Sequence, residues 1–261
     1  MTLHGCAEQV AAPRDSAYPF EMGAVRIGIV GDFDVRKHSH WATEAALFHA
    51  AAQVGVKVEP RWVSTVQVAG QRAADFLAPF DAIWGAPGSP YKSMPGILRA
   101  IEYARTRNVP YLGTCAGFQY ALIEFSRHVL GLVDADSAEN APDGKNVVIT
   151  PVYCDVPSEV LPRLNGAGVA RPVAGSLLER LCGSADLAGE YFCSFETNND
   201  FVARWEAAGL RVAARGNDDE LRAFELPQNR FFVATLFQPQ LSSAYDKPHP
   251  IVTGLLKACA K

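Results

Sequence analysis

The stretch Tyr111-Leu112-Gly113-Thr114-Cys115-Ala116-Gly117-Phe118-Gln119 is where this chain is equipped for chemistry. An apolar run, Val109 to Leu112, reads as a buried strand, and a helical pattern, Ala116 to Leu130, begins directly after Cys115. A thiol on such a corner is pushed out beyond the end of a sheet. Helix amides and the helix dipole there favour the thiolate. The arrangement is that of the nucleophile elbow of serine hydrolases, with cysteine for serine. A base, donors for a developing oxyanion and a substrate pocket must come from elsewhere.

His38 and His40 are the candidate bases, in the polar loop Asp34-Val35-Arg36-Lys37-His38-Ser39-His40. Arg36 and Lys37 are candidate anion contacts. Glu44 reads as a helix-surface residue, His49 as a mid-helix one, His128 as packing or capping, and His249 as a turn residue before Pro250. Cys154 and Cys193 offer a redox pairing with Cys115 as an alternative to plain burial. No His/Cys/carboxylate spacing suggests a metal site, and Gly85 to Gly88 is not a phosphate-cradling glycine loop, so no cofactor is expected.

The elements that would position these groups alternate. Strands are expected at Val25–Val30, Val56–Val63, Ala82–Trp84 and Val109–Gly113. Helices are expected at Trp41–Gln53, Val68–Leu77, Pro95–Arg107 and Ala116–Leu130. This predicts an α/β fold, an open and mostly parallel flavodoxin-like sheet with helices on both faces. Ligands of such sheets bind at the carboxyl ends of the strands, where the loops Gly31–His40 and Gly85–Lys92 meet the elbow. Asp134 to Gly168 reads as loop. Strands follow at Glu190–Thr197, Leu210–Ala214, Leu221–Leu226 and Phe231–Phe237, with helices at Phe201–Ala208 and Pro250–Cys259.

Composition sets the limits. The 261 residues suffice for one large domain, taken as 25–261 behind an N-terminal arm, 1–24. Hydrophobic content is 49%, charged content 20% and net charge −4, which argues against a nucleic-acid footprint. No apolar run reaches the ~18 residues of a membrane span. The first 22 residues lack the apolar core of a signal peptide. Cys6, Cys115, Cys154, Cys182, Cys193 and Cys259 show no CxxC spacing, so a reduced, cytoplasmic protein is expected.

From Val25 to Ala260 the chain resembles the glutamine amidotransferase domain of CTP synthase, a class I amidotransferase of the triad type. The stretch from Val109 to Glu139, including PYLGTCAGFQYALIEFSRHVLGLVDADSAE, carries the resemblance best. AAGLRVAARGNDDEL and KPHPIVTGLLKA follow. The resemblance implies a cysteine attacking glutamine, a histidine activating it, a glutamate orienting the histidine, and ammonia passing to a synthetase. It puts Cys115 on the nucleophile and the Ala116 amide on one oxyanion donor. Gly88 and Ser89 fall on the oxyanion strand. Gln119 and Glu139 fall in the glutamine pocket, with Glu139 facing the amino group.

The departures from the family pattern fall on function. Where the family reads His-Pro-Glu, the chain has Gln238-Pro239-Gln240. An amide does not titrate near neutral pH and cannot accept the thiol proton. Ser194, beside Phe195, replaces an arginine that grips the substrate carboxylate. Losing such a contact costs on the order of 2–5 kcal/mol of binding. Base, orienter and clamp are missing together, which argues against ordinary glutamine hydrolysis. Three readings follow: a cysteine-dependent hydrolase or transferase acting on a small amine-bearing amide, acyl or nitrile-like substrate; an inactive binding or regulatory subunit; and an ammonia-supplying glutaminase for a synthetase partner. A biosynthetic partner protein or a homodimer is compatible with the chain, but nothing in the sequence specifies an interface.

Overall fold

A computed structural model describes residues 23–152 and 164–259. Most of the expected N-terminal arm, together with Cys6, Cys154, Pro157 and Pro162, lies outside the described residues. The elements run β1 (Val25–Val30), α1 (His38–Val54), β2 (Val58–Val63), α2 (Ala73–Leu77), β3 (Ala82–Gly85), α3 (Met94–Thr106), β4 (Tyr111–Thr114) and α4 (Ala116–His128). Then come β5 (Asp136–Ser137), β6 (Val147–Pro151), β7 (Leu164–Pro172), α5 (Leu177–Cys182), β8 (Leu187–Cys193), β9 (Phe195–Thr197) and α6 (Val202–Ala207). β10 (Arg211–Arg215), β11 (Leu221–Glu225), β12 (Phe232–Thr235) and α7 (Pro250–Cys259) complete the order.

The strands form a nine-stranded sheet ordered β2-β1-β3-β4-β12-β11-β10-β7-β8 and a small sheet ordered β5-β6-β9. From β2 to β12 every pairing is parallel. From β12 to β8 every pairing is antiparallel. The α/β architecture is as expected. The parallel half matches the strand–helix alternation, and the antiparallel half extends it.

Three expectations change. The helix over Val68–Leu77 shortens to Ala73–Leu77, with Gly70 breaking the first half. The segment Asp134–Gly168, read as loop, contains β5, β6 and the start of β7. The single strand over Glu190–Thr197 divides at Ser194. β8 stays on the edge of the large sheet, while β9 pairs with β6 in the small one. Backbone bonding drives the switch, because the Ser194 carbonyl accepts from Val152 N at 2.9 Å. Helix α5 has no counterpart in the sequence reading. Its Ser176 cap is clear in hindsight, with Oγ accepting from Glu179 N.

Helix α4 carries the elbow and is buried on every side from Ala116 to Ser126. A helix so enclosed is fixed by its neighbours rather than by a polar face. At its first turn the Tyr111 hydroxyl donates to the Gly117 carbonyl at 3.0 Å. A Cβ at Gly117 would collide with the Gly85 backbone carbonyl, so glycine is what lets α4 approach β3. No helix among the described residues is long and apolar enough to cross a membrane.

His249 shows how the last helix starts. Its Nδ1 accepts from Ile251 N at 3.2 Å, and burial pushes the imidazole down to about 4. A depressed histidine contributes stability above its unfolded value of about 6.5 that drains as pH falls toward the folded value. Melting temperature is therefore expected to fall between pH 7 and pH 4.5. In His249→Asn, which retains a capping acceptor without titrating, that part of the fall should vanish in thermal melts across this range. An unchanged pH profile would refute the assignment.

Candidate functional site

Cys115 follows β4 and precedes α4 with φ 52° and ψ −106°, a conformation rarely adopted by non-glycine residues. Its amide donates to the Thr235 carbonyl at 2.9 Å, tying the corner to β12. The strain aims the side chain into a cavity of ≈ 540 Å³ at the carboxyl ends of the parallel strands. The expected cavity loops both contribute, through Lys37 and His38 on one side and Gly88 and Ser89 on the other.

Four groups set the state of the thiol. Cys193, the last residue of β8, has its sulfur 3.1 Å from the Cys115 sulfur. Its hydrogen bond is the largest influence, drawing Cys115 below the ordinary thiol range. Burial opposes it, the backbone N–H groups of Gly88 and Ala116 reinforce it, and the Glu139 charge works weakly against it. Cys193 moves the other way, pushed well up by the same hydrogen bond and by burial. Of the two sulfurs, Cys193 thus holds its proton the more tightly and Cys115 is the one that gives its proton up first. Alkylation of Cys115 by iodoacetamide should level off below the ordinary midpoint of about 8.5. Cys193→Ala should move that midpoint upward, because the donor is gone. A profile identical in both proteins would sink this account.

Most of the residues expected from the sequence converge here. Cys115, Gly88, Ser89, Gln119, Glu139 and Ser194 line the cavity, together with Phe195, Gln238 and His38. Ser89 Oγ donates to Glu139 Oε1 at 3.2 Å, steadying that carboxylate at the wall. Gln119 Nε2 donates to the Phe195 carbonyl at 2.9 Å, joining α4 to the small sheet. Gly88 has φ +104°, and the Lys37 ammonium occupies the space a Cβ there would face. Lys37 is therefore the cation of this wall. Arg36 instead pairs with Asp34 in solvent, at 2.9 Å.

Gln238 and Gln240 are both buried. Gln240 Nε2 donates to Gln238 Oε1 at 3.2 Å, and Gln240 Oε1 has no partner. The Gln238 backbone N–H donates to the Glu190 carbonyl at 2.8 Å, fixing this segment against β8. The two side chains therefore stand in line, Gln238 toward the cavity and Gln240 behind it.

His40 requires a correction. It is buried; Nδ1 accepts from Asp34 N at 2.9 Å, and Nε2 therefore carries the proton and donates to the Pro87 carbonyl at 3.0 Å. Burial also lowers its proton affinity. Both nitrogens are committed to bracing the loop before Gly88, so His38 alone remains as a candidate base. Other polar residues are structural. Glu44 accepts from Trp62 Nε1 at 2.6 Å, His128 meets Glu124 at 3.0 Å, and Glu196 pairs with the buried Arg222 at 3.0 Å. The sequence offered Cys193 only as one of two redox partners. Its contact with Cys115 spans 78 residues, and no local signal encodes it. Phe192 and Leu241, also on the cavity wall, were not anticipated.

The model of the class-I glutamine amidotransferase family matches residues 40–258. The chain belongs to that family. Among curated amidotransferase relatives, the CTP synthases of Staphylococcus aureus strains JH9 and Newman are 32% identical over 242 residues, 92% of this chain and 45% of theirs. The chain thus spans about half the length of the relatives it matches. The glutaminase domain of Trypanosoma brucei CTPS, solved with bound acivicin, superposes with a TM-score of 0.83 at 25% identity, covering 90% of this chain and 94% of that one. The glutamine amidotransferase of Methylobacillus flagellatus, at TM-score 0.51 and 13% identity over 84% of this chain and 71% of its own, shares the fold.

Proposed function

We propose that this amidotransferase-family protein is a divergent thiol enzyme that cleaves a small amine-bearing amide, acyl or nitrile-like substrate at Cys115 in place of standard glutamine hydrolysis. The observation that carries the proposal is the pairing of a stabilised Cys115 sulfur with amides at 238 and 240 that cannot titrate. The nucleophile's supports are intact while the usual proton relay is gone.

In this reading the Cys115 thiolate attacks the substrate carbon. The Gly88 and Ala116 N–H groups, already directed at the sulfur, take the developing oxyanion. The substrate amine sits against Glu139, and Lys37 offers a charge to an acidic substituent. The departing amine takes a proton from water or from His38 at the rim, and water then releases the acyl group from sulfur. A leaving group that needs little protonation suits a site with no buried base. No nucleic acid or metal enters the scheme.

A second reading, ammonia supply to a synthetase partner, is favoured by the likeness to CTP synthases, of which the chain matches less than half. Two assays separate them. An α-amino electrophile of the acivicin type should label Cys115, while glutamate release from glutamine stays at background. Rapid glutamate release, abolished in Cys115→Ala, would establish the second reading. Failure of the electrophile to label Cys115 would leave a non-catalytic binding role.

A further inference from the structure

We propose that Cys115 and Cys193 form a peroxide-oxidisable dithiol, a modification site whose closure to a disulfide removes the reactive sulfur from the cavity. The inference rests on the placement of the two sulfurs and not on any substrate for Cys115. They lie 3.1 Å apart, on elements far separated in sequence, and both face the same cavity. A disulfide needs about 2.05 Å between sulfurs, so closure brings them together by roughly 1 Å. Cys115 is held by the hydrogen bond from its backbone N–H to the Thr235 carbonyl, while Cys193 ends β8, next to the Ser194 junction where the chain changes sheets.

The polarity of the pair suits the chemistry. The Cys115 thiolate attacks one peroxide oxygen, the O–O bond breaks, and the departing hydroxide takes a proton to become water. Cys115 is oxidised to the sulfenic acid and the peroxide is reduced. The negative charge that keeps the proton on Cys193 is then gone. Cys193 sulfur attacks Cys115 sulfur, the S–O bond breaks, and the hydroxyl leaves as water with the Cys193 proton. In sum, two thiols and one peroxide give one disulfide and two waters. Cys182 and Cys259 are internal controls. They do not line the cavity, and burial pushes their thiols up to about 11 and about 12.

The test is peptide mapping of the full chain after equimolar hydrogen peroxide and alkylation. The expected product is a Cys115–Cys193 cross-linked peptide, reversed by dithiothreitol, with Cys182 and Cys259 still alkylated. Labelling of Cys115 by iodoacetamide should disappear and return with reduction. In Cys193→Ser, dimedone should trap a sulfenic acid on Cys115 and no cross-link should form; Cys193→Ala serves if the serine variant misfolds. Oxidation of Cys115 to the sulfinic acid at equal rates with and without Cys193 would overturn the proposal. So would a cross-link from Cys115 to Cys6 or Cys154, or no oxidation at Cys115. Because the readout requires no turnover, it stands or falls separately from the proposed hydrolysis.

Discussion

The double variant Gln238→His/Gln240→Glu is expected to hydrolyse glutamine roughly 10²–10⁴ times faster than the natural chain, the range that a positioned general base contributes. The native amides already hold the required line: Gln240 Nε2 reaches Gln238 Oε1 at 3.2 Å, and Gln238 lies on the cavity wall with Cys115. An imidazole at 238 can take the thiol proton. A carboxylate at 240 can accept from the far side of that ring, where Gln240 Oε1 now has no partner. The gain is cooperative. Histidine alone lacks the group that fixes its tautomer, and glutamate alone is a buried carboxylate facing an amide, so each single variant should gain little. The improvement should appear in kcat. KM should stay poor until Ser194→Arg is added, since the carboxylate clamp is a separate loss. Glutamate release and melting temperature measured together decide the matter: a folded double variant no faster than the natural chain would mean that position 238 does not serve Cys115.

Arg105→Ala is expected to destabilise the fold by about 3–5 kcal/mol, the cost of leaving a buried charge without its partner. The melting temperature should drop by roughly 6–20 °C at the ~2–4 °C per kcal/mol usual for this size. Glu124 lies on α4, with its side chain 1% exposed. Arg105, on α3, holds it with Nε at 3.0 Å and Nη2 at 2.7 Å, while His128 adds one bond from the next turn of α4. His128 offers Glu124 a single bond from a partly exposed ring, so it does not replace the two-pronged guanidinium. Because α4 begins at the elbow, the same variant should slow Cys115 alkylation. Arg105→Lys should recover part of the stability, one charge replacing a fork. A drop of under 1 kcal/mol by chemical denaturation would show that water or His128 compensates.

The sequence was most legible where a pattern is local. The β4–Cys115–α4 corner, the parallel strands and α7 follow from apolar runs punctuated by glycine and proline. Gln238, Gln240 and Ser194 stand out only against a family pattern, and the cavity gathers them with Cys115 apart from Gln240, which stands behind Gln238. The losses are of a different kind. Glu190–Thr197 has uniform strand character, so nothing in its residues announces that Ser194 bonds to Val152 and that the chain leaves one sheet for another. His40 has the composition of a candidate base. Only the Asp34 amide and the Pro87 carbonyl, brought to its two nitrogens by the fold, make it a brace. Cys193 becomes significant only when β8 lies beside the elbow.

That change of sheet at Ser194 makes the cavity a seam. Cys193 on one wall belongs to the nine-stranded sheet; Phe195, two residues on, belongs to the three-stranded one and receives Gln119. Any occupant touching both walls fastens the lesser sheet to the greater. Amide hydrogen exchange along Val147–Pro151 and Phe195–Thr197 is then an occupancy gauge, slowing when a compound binds whether or not it reacts. A library of small amines and amides can be ranked by that slowing alone, which turns a question about an unidentified substrate into a binding screen.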